Sequence, residues 1–285
     1  MNQVSQPLIL SILLFTVLIV TPACIASEGS SNITISFLDV GQGDCSLLEV
    51  NGKTMLIDAG PSDAGPEIVR CLKNQNITSL DIVLSTHPHS DHIGGMPYVI
   101  NHIKTGLFID SGDPHTTPTY ESLLKTINRQ NIRYTTVRDG DTIDLDPGIQ
   151  IRVLNPPNIQ GEDLNENSIV LKISAGPREI LLMGDAGITT EESLLTRGED
   201  LRADILKVGH HGSRHSSERE FIKAVSPEIA IIFLASDNDY GYPQKNPIQY
   251  LSDEGAKIYR TDHDGTVTIN IKDGVLNIKT RNSSP

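Results

Sequence analysis

Ser85-Thr86-His87-Pro88-His89-Ser90-Asp91-His92-Ile93-Gly94-Gly95 puts three imidazoles and a carboxylate within six residues. The stretch follows Asp81–Ser85, an apolar segment with the length of a buried strand. In extended or turning backbone, alternate residues share a face, so His87 and His89 point the same way. Asp91 and His92 fall where the chain turns into a helix and can be aimed at a second point. Borderline ions such as Zn²⁺ take neutral imidazole and carboxylate ligands, so the four residues can serve two adjacent ions. The chain has nine histidines in all, and a chance grouping in this register inside a solvated loop is improbable.

Working outward, strands, turns and helices alternate from Ile33 to near the end, without a linker or an internal repeat. Cys45–Val50 and Thr54–Ile57 flank an Asn51-Gly52 hairpin turn. Pro66–Asn74 has helical spacing, and further helices are expected near 119–129, 189–196, 217–225 and 247–254. Strands are expected at 132–137, 149–154, 168–173, 179–183, 203–208 and 229–234, with more running to Lys279. Early hairpins followed by strand–helix units imply an α/β chain: two packed sheets with helices on their outer faces.

Composition sets limits. Apolar residues make up 38% and charged residues 21%, enough for a sizeable core. The net charge of −13 argues against an extended basic surface for long nucleic acids, although a metal pair can supply positive charge locally. At the N-terminus, Leu8–Val20 is an apolar run too short to span a bilayer comfortably and suited to a signal peptide. Residues 1–26 therefore read as a signal peptide, cleaved after Ala23 or Ala26, or as an N-terminal anchor. Lipid attachment at Cys24 is a third reading, and no Lys or Arg precedes the run. Export to the extracellular space or the cell envelope follows. Cys45 and Cys71 read as two separate thiols, and Asn32, Asn76 and Asn282 open glycosylation sequons.

His-x-His-x-Asp-His after a strand resembles the metallo-β-lactamase superfamily, whose fold is an αββα sandwich. Phe37-Leu38-Asp39-Val40-Gly41-Gln42-Gly43-Asp44 and Leu56-Ile57-Asp58-Ala59-Gly60 are similar to the opening of the hydrolase domain of the competence protein ComEC. Met183-Gly184-Asp185, Leu206-Lys207-Val208-Gly209-His210-His211-Gly212-Ser213 and Thr261-Asp262 with Gly265 follow in the order of that domain. The resemblance implies one hydrolase domain over residues 33–280, with two mixed β-sheets flanked by helices.

It also implies roles. His87 and His89 would hold a first divalent ion, Asp91 and His92 a second, and Asp185 would bridge them. Asp185 has an alternative as the N-cap of the next helix. His211 is preferred over His210 as the further ligand, because His211-Gly212-Ser213 matches a His-x-Ser pattern in the nuclease branches. His210 would then lie behind it, and Asp58 would support the histidine loop. Two differences stand out. Asn165–Leu171 contains no histidine where the wider superfamily supplies another ligand. Tyr240-Gly241-Tyr242-Pro243-Gln244-Lys245 replaces a histidine-bearing Tyr-Gly-His-Pro segment. His102 reads as a surface residue, His115 and His215 as loop residues, and His263 as part of the closing motif.

The implied activity is that of a metal-dependent hydrolase. Two ions, Zn²⁺ or Mn²⁺, roughly 3.5–4 Å apart would lower the pKa of a water toward ~7 and yield hydroxide at neutral pH. Asp91 would also hold that nucleophile, and glycines 94, 95 and 212 would let backbone amides approach substrate oxygens. The segment Ser213, Arg214, Ser216, Ser217 offers hydroxyls and a guanidinium suited to phosphate, or else caps the next helix. The expected function is phosphodiesterase or nuclease action on short or single-stranded nucleic acid. The alternatives are lactam, lactone or thioester hydrolysis and a non-catalytic DNA-uptake accessory role.

Overall fold

The computed structural model describes residues 32–159 and 163–281, together with Met1. The apolar run at 8–20, Cys24, both expected cleavage positions and the Asn282 sequon lie outside the described residues. Asn51 and Gly52 take left-handed backbone, φ 51° and 83°, and form the two-residue turn that matches strand twist. They join β2 (Ser46–Val50) to β3 (Lys53–Ile57), with Val50 opposite Lys53 and Ser46 opposite Ile57. β1 (Ile33–Phe37) pairs antiparallel with β2 on one side. On its other side lies β13 (Val267–Lys272), which carries β14 (Val275–Thr280) beyond it. β4 (Ser79–Leu84), β5 (Lys104–Asp110) and β6 (Arg133–Thr136) extend β3 in parallel, completing an eight-stranded mixed sheet.

The second sheet has six strands. β7 (Gln150–Asn155), β8 (Val170–Ala175) and β9 (Arg178–Leu182) are antiparallel neighbours. β10 (Ile205–Lys207), β11 (Ile229–Ile232) and β12 (Lys257–Arg260) continue from β9 in parallel.

Alternation along each strand decides which core a residue joins. Ile35, Phe37, Met55, Ile57, Ile82 and Leu84 face the second sheet and meet Ile173, Ile180, Leu182, Ile205 and Ile231. Leu47, Leu56 and Val83 face outward beneath α1 (Gly65–Asn74), α3 (Met96–His102) and α4 (Pro118–Arg129). Leu181, Leu206 and Ala230 pack under α5 (Ile188–Thr196), α6 (Arg219–Val225) and α7 (Lys245–Asp253). The layers are thus helix, sheet, sheet, helix, as expected. α2 (Ser90–Ile93) and α8 (Thr261–Asp264) are single turns at the rim.

α3, β5 and α8 are additions to the expected elements. β5 escapes pattern reading because only Phe108, Ile109 and Asp110 of its seven residues are buried. Cys45 and Cys71 are free thiols.

Candidate metal centre

Parallel strands from both sheets end at one rim, where ligands of open α/β sheets gather. Asp58 follows β3, Ser85–His92 follow β4, Asp185 follows β9, and His210 and His211 follow β10. His210 and His211 sit in a 3-10 turn, Gly209–Gly212, with φ of 45° and 54°. Such backbone is uncommon outside glycine and tends to mark functional sites.

Each central histidine has one nitrogen anchored and the other facing inward. His92 Nδ1–H donates to Asp58 Oδ2 at 2.8 Å, and His211 Nδ1–H donates to the Phe233 carbonyl at 3.0 Å. His87 Nδ1 lies 3.1 Å from Thr86 Oγ1, whose hydroxyl donates to Asp58 Oδ2 at 2.7 Å. Asp58, left-handed at φ 58°, also accepts from the Thr86 amide at 2.8 Å. It therefore ties Thr86 and His92 of the histidine loop together.

The inward atoms converge. His92 Nε2 is 3.3 Å and His211 Nε2 3.5 Å from Asp185 Oδ2. Asp91 Oδ2 is 3.3 Å from His211 Nε2 and 3.9 Å from His92 Nε2. His87 Nε2 lies 3.0 Å from His89 Nδ1, and the His87 and His92 rings are 4.2 Å apart. Asp185 does not cap α5, whose N-cap is Gly187. Its amide instead donates to Ser168 Oγ at 3.1 Å, fixing the carboxylate at the centre.

Asp44 and Lys207 went unassigned in the sequence. Asp44 joins His92, Asp185 and His211 in a buried group whose donor atoms lie within 4.8 Å of one another, a set that fits a divalent ion. It sits 3.4 Å from His211 Nδ1, on the anchored side of that ring, whereas Asp91 is on the free side. Asp44 Oδ2 pairs with the Lys207 ammonium, which also donates to the Gly184 carbonyl at 2.6 Å and lies 3.7 Å from Asp185 Oδ1. A signal was present: Lys207 interrupts an apolar strand, and a fully buried lysine requires a carboxylate partner.

Electrostatics fit a cation. Burial pulls His92 down, but Asp185 foremost, with Asp58, Asp44 and Asp91, pushes it well above its ordinary value. His211 is raised against burial by Asp185, Asp91 and Asp44. Burial would raise Asp185, yet His211 and His92 hold it well below the usual carboxylate range. His87 and His89 are lowered, chiefly by burial, which favours the neutral imidazoles that a metal ion requires. Asp185 Oδ1, Asp44 Oδ1 and His92 Nε2 are buried without a hydrogen bond, which a bound cation would remedy.

A cleft of about 300 Å³ opens over these groups, lined by Gln42, Asn165, His210, Tyr240 and Tyr242 as well as His89, Asp91, Asp185 and His211. His210 forms its wall, with Nε2 3.5 Å from the Tyr242 hydroxyl. Asn165, in the segment lacking a histidine, lines the cleft, and its Oδ1 carries no hydrogen bond. His115 borders the centre, 6.3 Å from the His89 ring. His215 and His263 are exposed.

Two groups of residues sit apart from the cleft lining. Ser213 and Ser216 are buried and brace their own loop: Ser213 Oγ accepts from the His215 amide, and Ser216 Oγ donates to the Gly209 carbonyl at 2.8 Å. Arg214 is exposed, donating to His215 at 3.3 Å, and neither Arg214 nor Ser213 lines the cleft. The Gly94 and Gly95 amides already donate to the Ser90 and Gly60 carbonyls, and glycines 94, 95 and 212 are closely packed. A Cβ would lie 2.5 Å from the Ser62 amide, 2.2 Å from the Ala59 carbonyl and 2.9 Å from Pro243, so their role is close packing of loops.

A two-sheet sandwich with a His- and Asp-lined pocket at its strand ends has the architecture of a metallohydrolase. The chain belongs to the metallo-beta-lactamase superfamily, whose family model matches residues 38–236. It is 28% identical over 270 residues to ComE operon protein 3 of Bacillus subtilis, covering 88% of this chain and 34% of that protein. The chain thus spans about a third of that relative's length. A shorter stretch of 73 residues, 23% of the chain, is 29% identical to Endoribonuclease ysh1 of Schizosaccharomyces pombe. Among solved structures, the metallo-beta-lactamase fold protein YhfI from Bacillus subtilis superposes with a TM-score of 0.57 at 13% identity. That match covers 87% of this chain and 99% of YhfI.

Proposed function

We propose that the chain is an exported hydrolase of phosphodiester bonds that uses two divalent ions, Zn²⁺ or Mn²⁺. One observation carries the reading: His92 and His211 nitrogens and Asp91 and Asp185 carboxylate oxygens meet at 3.3–3.9 Å, with the His87–His89 pair beside them, the His87 ring 4.2 Å from that of His92. His87 and His89 would hold one ion, and Asp91, His92 and His211 the other, with Asp185 between. When bound, the ions supply Lewis acidity and water of lowered pKa at neutral pH. The rest falls to the chain. Asp58 and the Phe233 carbonyl fix the ring orientations, Lys207 and Asp44 steady Asp185, and Asp91 can take a hydrogen bond from the attacking water. His210 and Tyr242 offer polar hydrogens at the cleft wall for a substrate oxygen.

The likeness to Competence protein ComA of Neisseria gonorrhoeae, 29% identical over 249 residues, and to an endoribonuclease favours a diester over an acyl substrate. The charge of −13 favours short or single-stranded diesters over long duplexes. Among the described residues no helix is long and apolar enough to cross a membrane. Export rests on residues 1–26 and on the competence relative.

The test is hydrolysis of bis-p-nitrophenyl phosphate and single-stranded DNA with Mn²⁺ or Zn²⁺, beside a β-lactam, a lactone and a thioester. Diester turnover that is lost in Asp185→Asn is expected. Turnover of acyl substrates alone, or none with metal bound, would overturn the reading.

A further inference from the structure

Four rings run outward from the metal centre to solvent. His92 lies 5.6 Å from His211, and His211 6.2 Å from Tyr242 at an interplanar angle of 27°. Tyr242 lies 5.3 Å from Tyr240, with the planes only 13° apart. Tyr240 ends the series 64% exposed, an unusual state for a large aromatic side chain. Both tyrosines line the cleft that holds His89, Asp91, Asp185 and His211.

The loop carrying them is braced. Asn238 Oδ1 accepts from the Tyr242 amide at 2.9 Å, and its Nδ2 donates to the Tyr242 and Ala235 carbonyls at 3.0 and 2.8 Å. The Gln244 amide bonds the Gly212 carbonyl at 2.8 Å, tying the loop to the His210–His211 turn. The Tyr242 ring also meets His210 edge-on at 5.8 Å. A solvent-facing ring held parallel to a second ring, at the mouth of a cleft, is ready to continue the stack.

We infer that Tyr240 and Tyr242 form a stacking subsite for a nucleobase of a single-stranded substrate, next to the bond cut at the metal centre. The inference rests on the diester reading and gives the diester a base. Every nucleobase has a π-face, so such a platform accepts bases with little sequence preference. It excludes duplex, whose bases are already stacked. A net charge of −13 repels a phosphate backbone at long range, so stacking also supplies affinity that phosphate contacts elsewhere provide.

The chain has no tryptophan, so Tyr240→Trp installs a single reporter at the site. Fluorescence of that variant, also carrying Asp185→Asn to prevent cleavage, should be quenched by oligothymidylate. An abasic oligomer of the same length should quench it far less. In the Tyr240→Ala chain, measured by oligomer binding, the base-bearing strand should lose roughly tenfold in affinity or more, and its advantage over the abasic strand should vanish. Equal quenching by both oligomers, or none by oligothymidylate, would overturn the subsite. Equal affinity of Tyr240→Ala and the parent for oligothymidylate would do the same. The two readings fail separately: cleavage of oligothymidylate without quenching removes the subsite alone, whereas quenching without hydrolysis of any diester removes the diester reading alone.

Discussion

Asp58 holds three partners with one carboxylate: the Thr86 amide, the Thr86 hydroxyl and His92 Nδ1. Groups that orient ligand histidines typically affect metal affinity by 10–100-fold. Asp58→Asn should weaken metal binding by roughly that factor, read by competition with a chelating dye, while leaving the ligand set intact. His211→Ala should lose both metal and turnover. His210→Ala should keep its metal and lose less activity, because His210 stands at the cleft wall and not among the converging atoms. A His210 variant with the greater metal loss would reverse the assignment. Proton traffic gives a third check. His92 and His211 are raised, so they keep their protons to higher pH than a free imidazole, and the stability they contribute is lost as pH rises through those raised values. Metal uptake must displace those protons. Calorimetry in two buffers of different ionisation enthalpy should show proton release, and affinity should fall as pH is lowered. The histidine motif is legible because its residues are adjacent in sequence. Asp44 and Lys207 were not, because their pairing joins a loop after β1 to a strand some 160 positions later, and neither has a spacing to read.

α6 begins at Glu218 without a side-chain cap of its own. Glu191 of α5 supplies one, its carboxylate accepting from the Ser217 and Glu218 amides. That carboxyl is pushed up to about 7, chiefly by burial, from an ordinary 4.5. The fold therefore favours the protonated form. Its contribution is fully present below about 4.5 and lost as pH rises through about 7. Urea midpoints should fall over that window, and Glu191→Gln should flatten the fall. An unchanged pH profile in the variant would refute the assignment. The clamp fixes the loop that descends from His211, so it joins a helix end to the metal centre. Strands and helices with strong periodicity, such as α1 and β9, were plain from sequence. β5 was not, since three buried residues make too short an apolar run to distinguish from a loop. Ser213 to Ser217 left two readings open for a related reason: serines that bind phosphate and serines that brace a turn have the same composition, and burial adds what composition lacks.

The metal centre draws its ligands from both sheets: the loop after β4 in one, the loops after β9 and β10 in the other. Ions bound there would pin two layers otherwise held by apolar contact and by polar links such as the buried Asp44–Lys207 pair. A ligand at a hundred times its Kd adds about 2.7 kcal/mol of stability, and for a domain of this size that is roughly 5–10 °C in Tm. Chelation should lower the calorimetric Tm by about that much, and an unmoved Tm would mean that no ion bridges the layers. The sandwich class was readable because the hairpin and the strand–helix units announce two sheets. The pairing of the first strand with one near the end was not, because register over such a distance leaves no local trace. Ile35 lies opposite Ile269, and Phe37 opposite Val267. A chain growing on the ribosome therefore keeps the outer edge of its first strand open until nearly the last strand has emerged. Contacts so remote in sequence fold slowly and leave that edge exposed to other chains meanwhile. Translation speed and chaperone supply then bear on how much of the chain reaches the folded state, alongside the stability of the finished molecule.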